Sequence, residues 1–510
     1  MEVLLEGPER MADVPSVRRI SPAHQGSERT AIRVAIWIFL SFQFFYLLTS
    51  SGRARTADEY NTYYMAESLV LRGSTEIPQA VQLHNFYGKF DLQGKPRAAY
   101  PPGQALLSTP WYAFGHYVVA NLPGVPIDMS DLVSLSSTCL SSATFAALAD
   151  AFFFALLCGI GISVRTSLFA TAIVGFATPM WGYSAWLFSE PLSSAIFMGV
   201  TWWLFGRGKE PISIRAAAVA GLTLGLATWV RPTNALAIGI LAIALLLREG
   251  KAAWRQALVL CASAAVGPLA LVSRNHLLFG SPFDFGYPKT VDYGIHADVR
   301  FDTPLSVGLY GFLLSPGKSV FLFAPPTIIA LAGLRRLWSL DRGVGAVAML
   351  FPFVYLLFFS RYSSWEGGYC VGPRYLVPSV ALLCLGLGPF LDAGRGIAKR
   401  IGWFALALGA AVQLITMATS FLEDEATRGH YYDSTWHYRL DYSLRGPLHL
   451  FWKYLTTGQP ARLGLGWDRW FVFLHIAGVS TATLASMLLL MLLGFAFSLT
   501  MLIKKVRVAA

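Results

Sequence analysis

A few short segments hold the side chains that could do chemistry. Asp58, in Ala57-Asp58-Glu59-Tyr60, stands just before Tyr63-Tyr64-Met65-Ala66-Glu67-Ser68-Leu69-Val70-Leu71-Arg72-Gly73. That stretch is amphipathic and aromatic-rich, with a glycine where a helix would end, so it predicts an interfacial helix. Asp58 is then either the N-cap, a place Asp favours, or a carboxylate poised to take a proton from a substrate hydroxyl. Glu59 beside it is a further candidate. Downstream, Lys95 and Arg97 lie in Gly94-Lys95-Pro96-Arg97-Ala98-Ala99-Tyr100-Pro101-Pro102-Gly103, a turn constrained by its prolines, before the apolar run Gln104–Val119. Cations there attract lipid headgroups or capture a phosphate at the membrane surface.

Four more places matter. Glu190, in Phe188-Ser189-Glu190-Pro191, borders an apolar run. A carboxylate there is costly unless paired or wetted, which makes it a functional candidate, although Pro191 equally suits a plain helix start. Arg231 occupies the tight turn Arg231-Pro232-Thr233-Asn234, and Arg274 follows another apolar run in Arg274-Asn275-His276. Ser363-Ser364-Trp365-Glu366-Gly367-Gly368-Tyr369-Cys370-Val371-Gly372-Pro373-Arg374-Tyr375 packs glycines, aromatics and both charges together. Its glycines admit a ligand close to the backbone or simply build a tight turn. The candidates here are Glu366 and Arg374.

Other chemistries leave no signal. P-loop, Rossmann and zinc motifs are absent, as is an Asp-x-Asp metal motif after the first apolar run. The nine histidines do not cluster; His430 and His437 only share a loop. The five cysteines are scattered without metal-ligand spacing, and no disulfide framework is legible. The outer loops carry no Asn-x-Ser/Thr sequon.

The elements that must position these residues are membrane helices. Of 510 residues 55% are hydrophobic and only 14% charged, with a mean hydropathy of +0.51. The apolar residues come in blocks long enough to cross a bilayer, and backbone inside lipid must satisfy itself as helix. Twelve spans are predicted, at 32–50, 132–158, 165–181, 189–205, 215–230, 233–247, 256–273, 318–334, 344–359, 374–391, 401–420 and 471–503. No cleavage site follows the first, which reads as a retained span.

With the N-terminus inside, basic residues gather in the short linkers, such as Arg207/Lys209/Arg215, Arg335/Arg336/Arg342 and Lys504/Lys505/Arg507. That side holds 21 of the 40 Lys and Arg but nine of the 29 Asp and Glu. This is the positive-inside pattern, so the basic balance reports orientation, not nucleic-acid binding. The long segments 51–131, 274–317 and 421–470 face outward. In the last, Trp436, Tyr438, Trp452 and Trp467 could stack on carbohydrate or anchor at the interface.

Asp58-Glu59 past the first span, Tyr63, Ala66, Gly73, and Lys95-Pro96 before Tyr100 resemble the first outer loop of GT-C membrane glycosyltransferases, nearest to the protein O-mannosyltransferase/aminoarabinose transferase group. The order of elements over residues 32–300 agrees, and the Trp365–Tyr375 segment resembles a pattern of many bacterial members. The resemblance implies a sugar donor on a polyprenyl phosphate. It makes Asp58 the base or acceptor-orienting group, Lys95 the donor-phosphate lysine and Arg274 a basic residue after the seventh span. Glu190 falls where a second acidic residue lies.

The expectation is an all-α polytopic membrane protein of about twelve helices, GT-C-like, with interfacial helices in its first outer loop (51–131). Residues 1–30 form a cytoplasmic tail, 31–300 the catalytic module and 301–510 a variable module carrying the outer loop 421–470. Its activity would move a sugar from a polyprenyl-phosphate donor to an acceptor hydroxyl on the extracytoplasmic face. Catalysis falls to Asp58 and Glu190; donor phosphate binding falls to Lys95, Arg97, Arg274 and Arg374; Glu59, Arg231 and Glu366 are further candidates. The leaving group is already a phosphate, needing positive charge rather than a proton. No metal site is expected, and at most a divalent cation as cofactor. Partners are the lipid-linked donor, membrane lipids and a glycan, lipid or protein acceptor. The chain belongs in the inner membrane with both termini cytoplasmic and the active site periplasmic or extracellular. A transporter or flippase of lipid-linked saccharides is the alternative, but no repeat relates the two halves.

Overall fold

A computed structural model describes residues 22–287, 300–418 and 469–509, except 209, 369 and 395, with a few positions between 448 and 457. The tail before residue 22 lies outside the described residues. So do His430, His437, Trp436, Tyr438 and Trp467, with most of the loop 421–470.

Apolar runs become helices where the sequence places them. Among the described residues eight helices are long and apolar enough to cross a membrane, the first at Thr30–Thr49 and the last at Thr481–Ala509. The other four of the twelve expected spans are shorter helices, Val164–Ala177, Glu190–Phe205, Ile214–Ala227 and Pro326–Leu340, of 14 to 16 residues. Apolar side chains such as Leu489, Leu490 and Leu493 are exposed along the last helix, which is 11% buried and has the surface of a lipid-facing span.

Two span boundaries moved, each for a backbone reason. The span expected at 318–334 starts later: Ser319 caps a short turn of helix Val320–Phe323, and the long helix begins only at Pro326. Pro325 cannot supply an amide proton and pushes Ala324 out of helical geometry, so one helix cannot run through. The span expected from 471 is split between Trp470–Ile476 and Thr481–Ala509, with Gly478 at φ 93° in the break.

Close packing rests on small residues. Helix Ile214–Ala227 runs against Trp254–Phe279 so tightly that a Cβ on Gly267 would lie 1.9 Å from the Gly225 carbonyl oxygen. Trp229 Nε1 donates to Gly267 O across the same seam at 3.0 Å. Small residues serve helix pairs in membranes this way because packing, not water exclusion, drives association there.

The segment after the first helix folds as a unit. Helix Ala57–Arg72 opens with a capping box: Thr56 Oγ1 accepts from the Glu59 amide, and Glu59 Oε2 accepts from the Thr56 amide. Thr56 is therefore the N-cap, and Asp58, read from sequence as a possible cap, lies inside the first turn with its side chain released from capping. The helix is less interfacial than expected, since Tyr63, Tyr64, Met65 and Ala66 are buried in a cluster with Tyr112, Leu135 and Leu187.

The turn around Lys95 is a β-hairpin, a departure from an all-helical chain. Strand Gly88–Phe90 pairs antiparallel with Pro96–Ala98 in the register Gly88↔Ala98. The hairpin tip is tied to the end of helix Trp254–Phe279, where Leu92 N donates to Leu278 O at 2.8 Å and Lys89 pairs with Asp284. The second expected interfacial helix is Gly103–Tyr117, anchored by Gly103 N donating to Trp229 O at 2.8 Å. It leaves Leu106, Leu107, Phe114 and Tyr117 exposed, an apolar face suited to lipid.

Candidate functional site

Four charged side chains meet at one end of the bundle, each brought by a different connection. Asp58 comes from the first turn of helix Ala57–Arg72 and Glu190 from the first turn of Glu190–Phe205. Arg231 comes from the turn before Pro232–Ala235, and Arg374 from the entry to Val377–Leu383.

Arg374 joins the two acids. Its Nε donates to Glu190 Oε1 at 2.9 Å, its Nη2 to Asp58 Oδ2 at 2.8 Å, and its Nη1 to Gly367 O at 3.3 Å. Arg231 Nη1 donates to the same Glu190 oxygen at 2.8 Å. Aromatic faces floor both cations: Arg374 lies 4.0 Å over Phe188 and Arg231 4.5 Å over Tyr375. Two acids and two guanidiniums balance, which is how charge persists in a desolvated place. Burial acts most strongly against the charged form of Arg231, but Glu190 together with Tyr375 and Tyr287 outweighs it and holds Arg231 above its ordinary range.

The two carboxylates differ in access. The Glu190 side chain is fully buried and that of Asp58 is 26% exposed, so of the two carboxylates only Asp58 is reached by solvent. Tyr100 donates its phenol to Asp58 Oδ1. The Tyr100 ring rests near Tyr87, centroids 6.1 Å apart, and edge-on to Tyr287 at 5.9 Å. Burial, followed by the Asp58 charge, raises the Tyr100 phenol well above its ordinary value, so it keeps its proton.

The other expected residues stand apart from this group. Glu59 completes the capping box and also accepts from Leu187 N at 3.1 Å, tying the helix to the loop before Glu190. Lys95 Nζ lies 2.6 Å from Glu76 Oε1. Arg97 Nε donates to Asp91 Oδ2 at 2.8 Å and its Nη1 to Thr75 Oγ1. Arg274 is near enough to Arg97 for the two cations to repel, and among the described residues it has no carboxylate partner. Lys95, Arg97 and Arg274 thus form a second cationic group on the hairpin side. Glu366 is half-buried on the glycine turn that carries Arg374, and its carbonyl accepts from Cys370 Sγ at 3.5 Å. Among the described residues no three His, Cys, Asp or Glu side chains converge as a metal site would require.

Two further residues lie outside the candidates that the sequence offers. Tyr100 stands in the proline turn and in the first-loop resemblance with no role of its own, and its partner Asp58 lies 42 residues earlier. Lys318 was assigned to the start of a span. It is fully buried, and its ammonium donates to Cys370 O at 2.9 Å beneath the glycine turn.

No known family's sequence profile matches the chain, and no curated protein matches it. Among solved structures it is similar to ArnT from Cupriavidus metallidurans, both bound to undecaprenyl phosphate (TM-score 0.45) and in the apo state (TM-score 0.47), at 14% identity in each case. Those alignments cover 93% and 95% of this chain and 77% and 78% of ArnT. An oligosaccharyltransferase from Archaeoglobus fulgidus in its apo form is similar at TM-score 0.38 and 14% identity, over 85% of this chain and 58% of that one.

Proposed function

We propose that the chain is a membrane glycosyltransferase that takes a sugar from a polyprenyl-phosphate donor and places it on an acceptor hydroxyl at the extracytoplasmic face. The acceptor oxygen attacks the anomeric carbon, the bond from that carbon to the phosphate oxygen breaks, and the polyprenyl phosphate leaves. The proton of the acceptor hydroxyl goes to Asp58. One observation carries the reading: of the four charges at the site, Asp58 is the carboxylate that is both rigidly held and open.

Glu190 has a supporting part. It accepts from both Arg374 and Arg231 through one oxygen, so the positive charge beside Asp58 is already shared with a second carboxylate. Asp58 is thereby aimed by Arg374, a cation it shares with Glu190. Arg374, expected on the donor phosphate, is here the residue that holds Asp58, because its donors are engaged by Asp58, Glu190 and Gly367.

Charge for the departing phosphate comes from the hairpin side. Arg274 has no acid to satisfy it among the described residues, and Lys95 is half exposed on a pair that can exchange Glu76 for a phosphate. Arg97, tied to Asp91, shapes that surface. Positive charge placed where leaving-group charge develops is the main catalytic need when no proton must be supplied to the leaving oxygen. Helix Gly103–Tyr117 leaves an apolar face for a lipid-held donor.

The test is incubation of purified protein with a panel of radiolabelled undecaprenyl-phosphate sugars in the presence of membranes as acceptor source. Transfer by the unaltered chain and its loss in Asp58→Asn, with normal membrane expression, supports the reading. Full transfer by Asp58→Asn refutes the base assignment.

A further inference from the structure

Asp58 offers its two oxygens to two different parts of the molecule. Oδ2 is taken by Arg374, which belongs to the bundle and is held there by Glu190, Gly367 O and the Phe188 face. Oδ1 is taken by Tyr100, which belongs to the hairpin unit: it follows strand Pro96–Ala98, and Ala99 N donates to Tyr87 O at 3.2 Å. The Tyr100 ring packs against Tyr87 and Tyr287, both on the hairpin side. One donor is therefore locked by several contacts of the bundle, and the other arrives on a short β-ribbon.

A phenol O–H pointing at a carboxylate oxygen has the chemistry of an acceptor hydroxyl about to be deprotonated. We propose that Tyr100 is a specificity-determining residue: it occupies the hydroxyl position on Asp58 until an acceptor displaces it, and so keeps water from serving as the acceptor. The inference rests on the reading of Asp58 as the base.

Water is the competitor any glycosyl phosphate meets. Hydrolysis would follow the same course as transfer: a water oxygen attacks the anomeric carbon, the bond to the phosphate oxygen breaks, the polyprenyl phosphate departs, and one water proton goes to Asp58. Water is small enough to reach Asp58 whenever it is open, and excluding it is a recurrent need of transferases. A tyrosine suits the task because its neutral O–H satisfies the carboxylate without itself attacking. The retained proton of Tyr100, held by burial and by Asp58, is consistent with that part. An acceptor with binding contacts beyond its hydroxyl can displace the phenol; a lone water lacks them.

The experiment uses the full chain in detergent with tritiated undecaprenyl-phosphate pentoses and hexoses, first with water as the sole acceptor and then with membranes added. Tyr100→Phe keeps the ring and removes the hydroxyl. Donor hydrolysis is expected to rise about tenfold or more, the scale of one hydrogen bond to a charged group, while transfer persists at lower acceptor concentration. Tyr100→Gln, which can still donate to Asp58, should keep hydrolysis low, and it decides the matter if the Phe variant does not accumulate. A folded Tyr100→Phe that loses transfer without gaining hydrolysis, or a Gln variant that hydrolyses freely, overturns the proposal and leaves Tyr100 as an orienting group. Failure of the underlying reading looks different: Asp58→Asn would transfer normally, or the unaltered chain would turn over no donor in the panel.

Discussion

Arg374 Nη2 lies 2.8 Å from Asp58 Oδ2, bridging residues 316 apart in the chain, while the Nε of the same guanidinium reaches Glu190. A planar fork is required to face two acids at these angles, and an ammonium cannot reproduce it. Arg374→Lys is therefore expected to fail despite keeping its charge. Losing one charge-assisted hydrogen bond of about 1.5–3 kcal/mol corresponds to roughly a 10- to 100-fold fall in kcat/KM. Transfer assays on protein matched for expression check this, and near-normal turnover by the lysine variant would show that Asp58 does not depend on the fork.

Glu190 is expected to matter to stability as much as to rate. Replacing it with Ala leaves Arg231 without an acid in a buried place and Arg374 with Asp58 alone, and breaking such a pair costs about 3–5 kcal/mol. Glu190→Gln keeps an acceptor and should cost less. Thermal unfolding in detergent should rank them unaltered, Gln, Ala; equal melting temperatures for all three would mean the network contributes nothing to the fold.

The hairpin should respond to acid. Burial raises Asp91, but the amides of Lys95 and Gln93 and the Arg97 guanidinium outweigh it and hold Asp91 below its ordinary value; Glu76 is held low chiefly by Lys95. A depressed carboxylate contributes stability that is complete above its unfolded value, about 4, and is lost as pH falls through the lower folded value. Amide exchange over 88–98, corrected for intrinsic rate, should show steady protection from pH 5 to 7 and loosening only below about pH 4. Loosening that begins near neutrality would point to some other group.

How much of this was legible beforehand differs by residue. Helices follow from apolar block length, so the order of spans could be read directly. The capping of Ala57–Arg72 could not: Asp58 and Thr56 both suit an N-cap, and only the reciprocal bond between Thr56 and Glu59 decides between them. The hairpin went unseen because its strands have three residues each, too few for a period-two pattern. Asp58, Glu190, Arg231 and Arg374 were each singled out, but their union was not, since nothing local in a sequence says that residues 58 and 374 touch. The pairing of Lys95 and Arg97 with Glu76 and Asp91 was hidden likewise, Glu76 lying 19 residues before its partner.

Arg274 and Lys95 should separate donor binding from fold. Lys95 is half exposed, and exposed pairs contribute about 0–1 kcal/mol, so Lys95→Ala should leave the melting temperature nearly unchanged. Both Lys95→Ala and Arg274→Ala are expected to weaken donor binding and also lower kcat, about tenfold or more in kcat/KM, because the cations meet the phosphate in the bound donor and as it departs. Unchanged donor affinity in both would move the phosphate site elsewhere.

The glycine turn before Arg374 offers a last check. Three donors pin its carbonyls: Lys318 Nζ on Cys370 O, Tyr183 Oη on Val371 O at 2.9 Å, and Arg374 itself on Gly367 O. Gly367, Gly368 and Gly372 all have positive φ, a backbone that holds no shape without such anchors. Lys318 is the charged anchor and is fully buried, so Lys318→Met should release the turn and let Arg374 lose its aim at Asp58, lowering turnover by about 10- to 100-fold. Tyr183→Phe removes a neutral bond worth about 1 kcal/mol and should cost only about fivefold. Cys370, 1% exposed, reports the release directly. In a chain whose other four cysteines are replaced, it should resist a maleimide until Lys318 is changed. A Lys318→Met protein with a protected Cys370 and full turnover would show that the turn keeps its shape without the lysine.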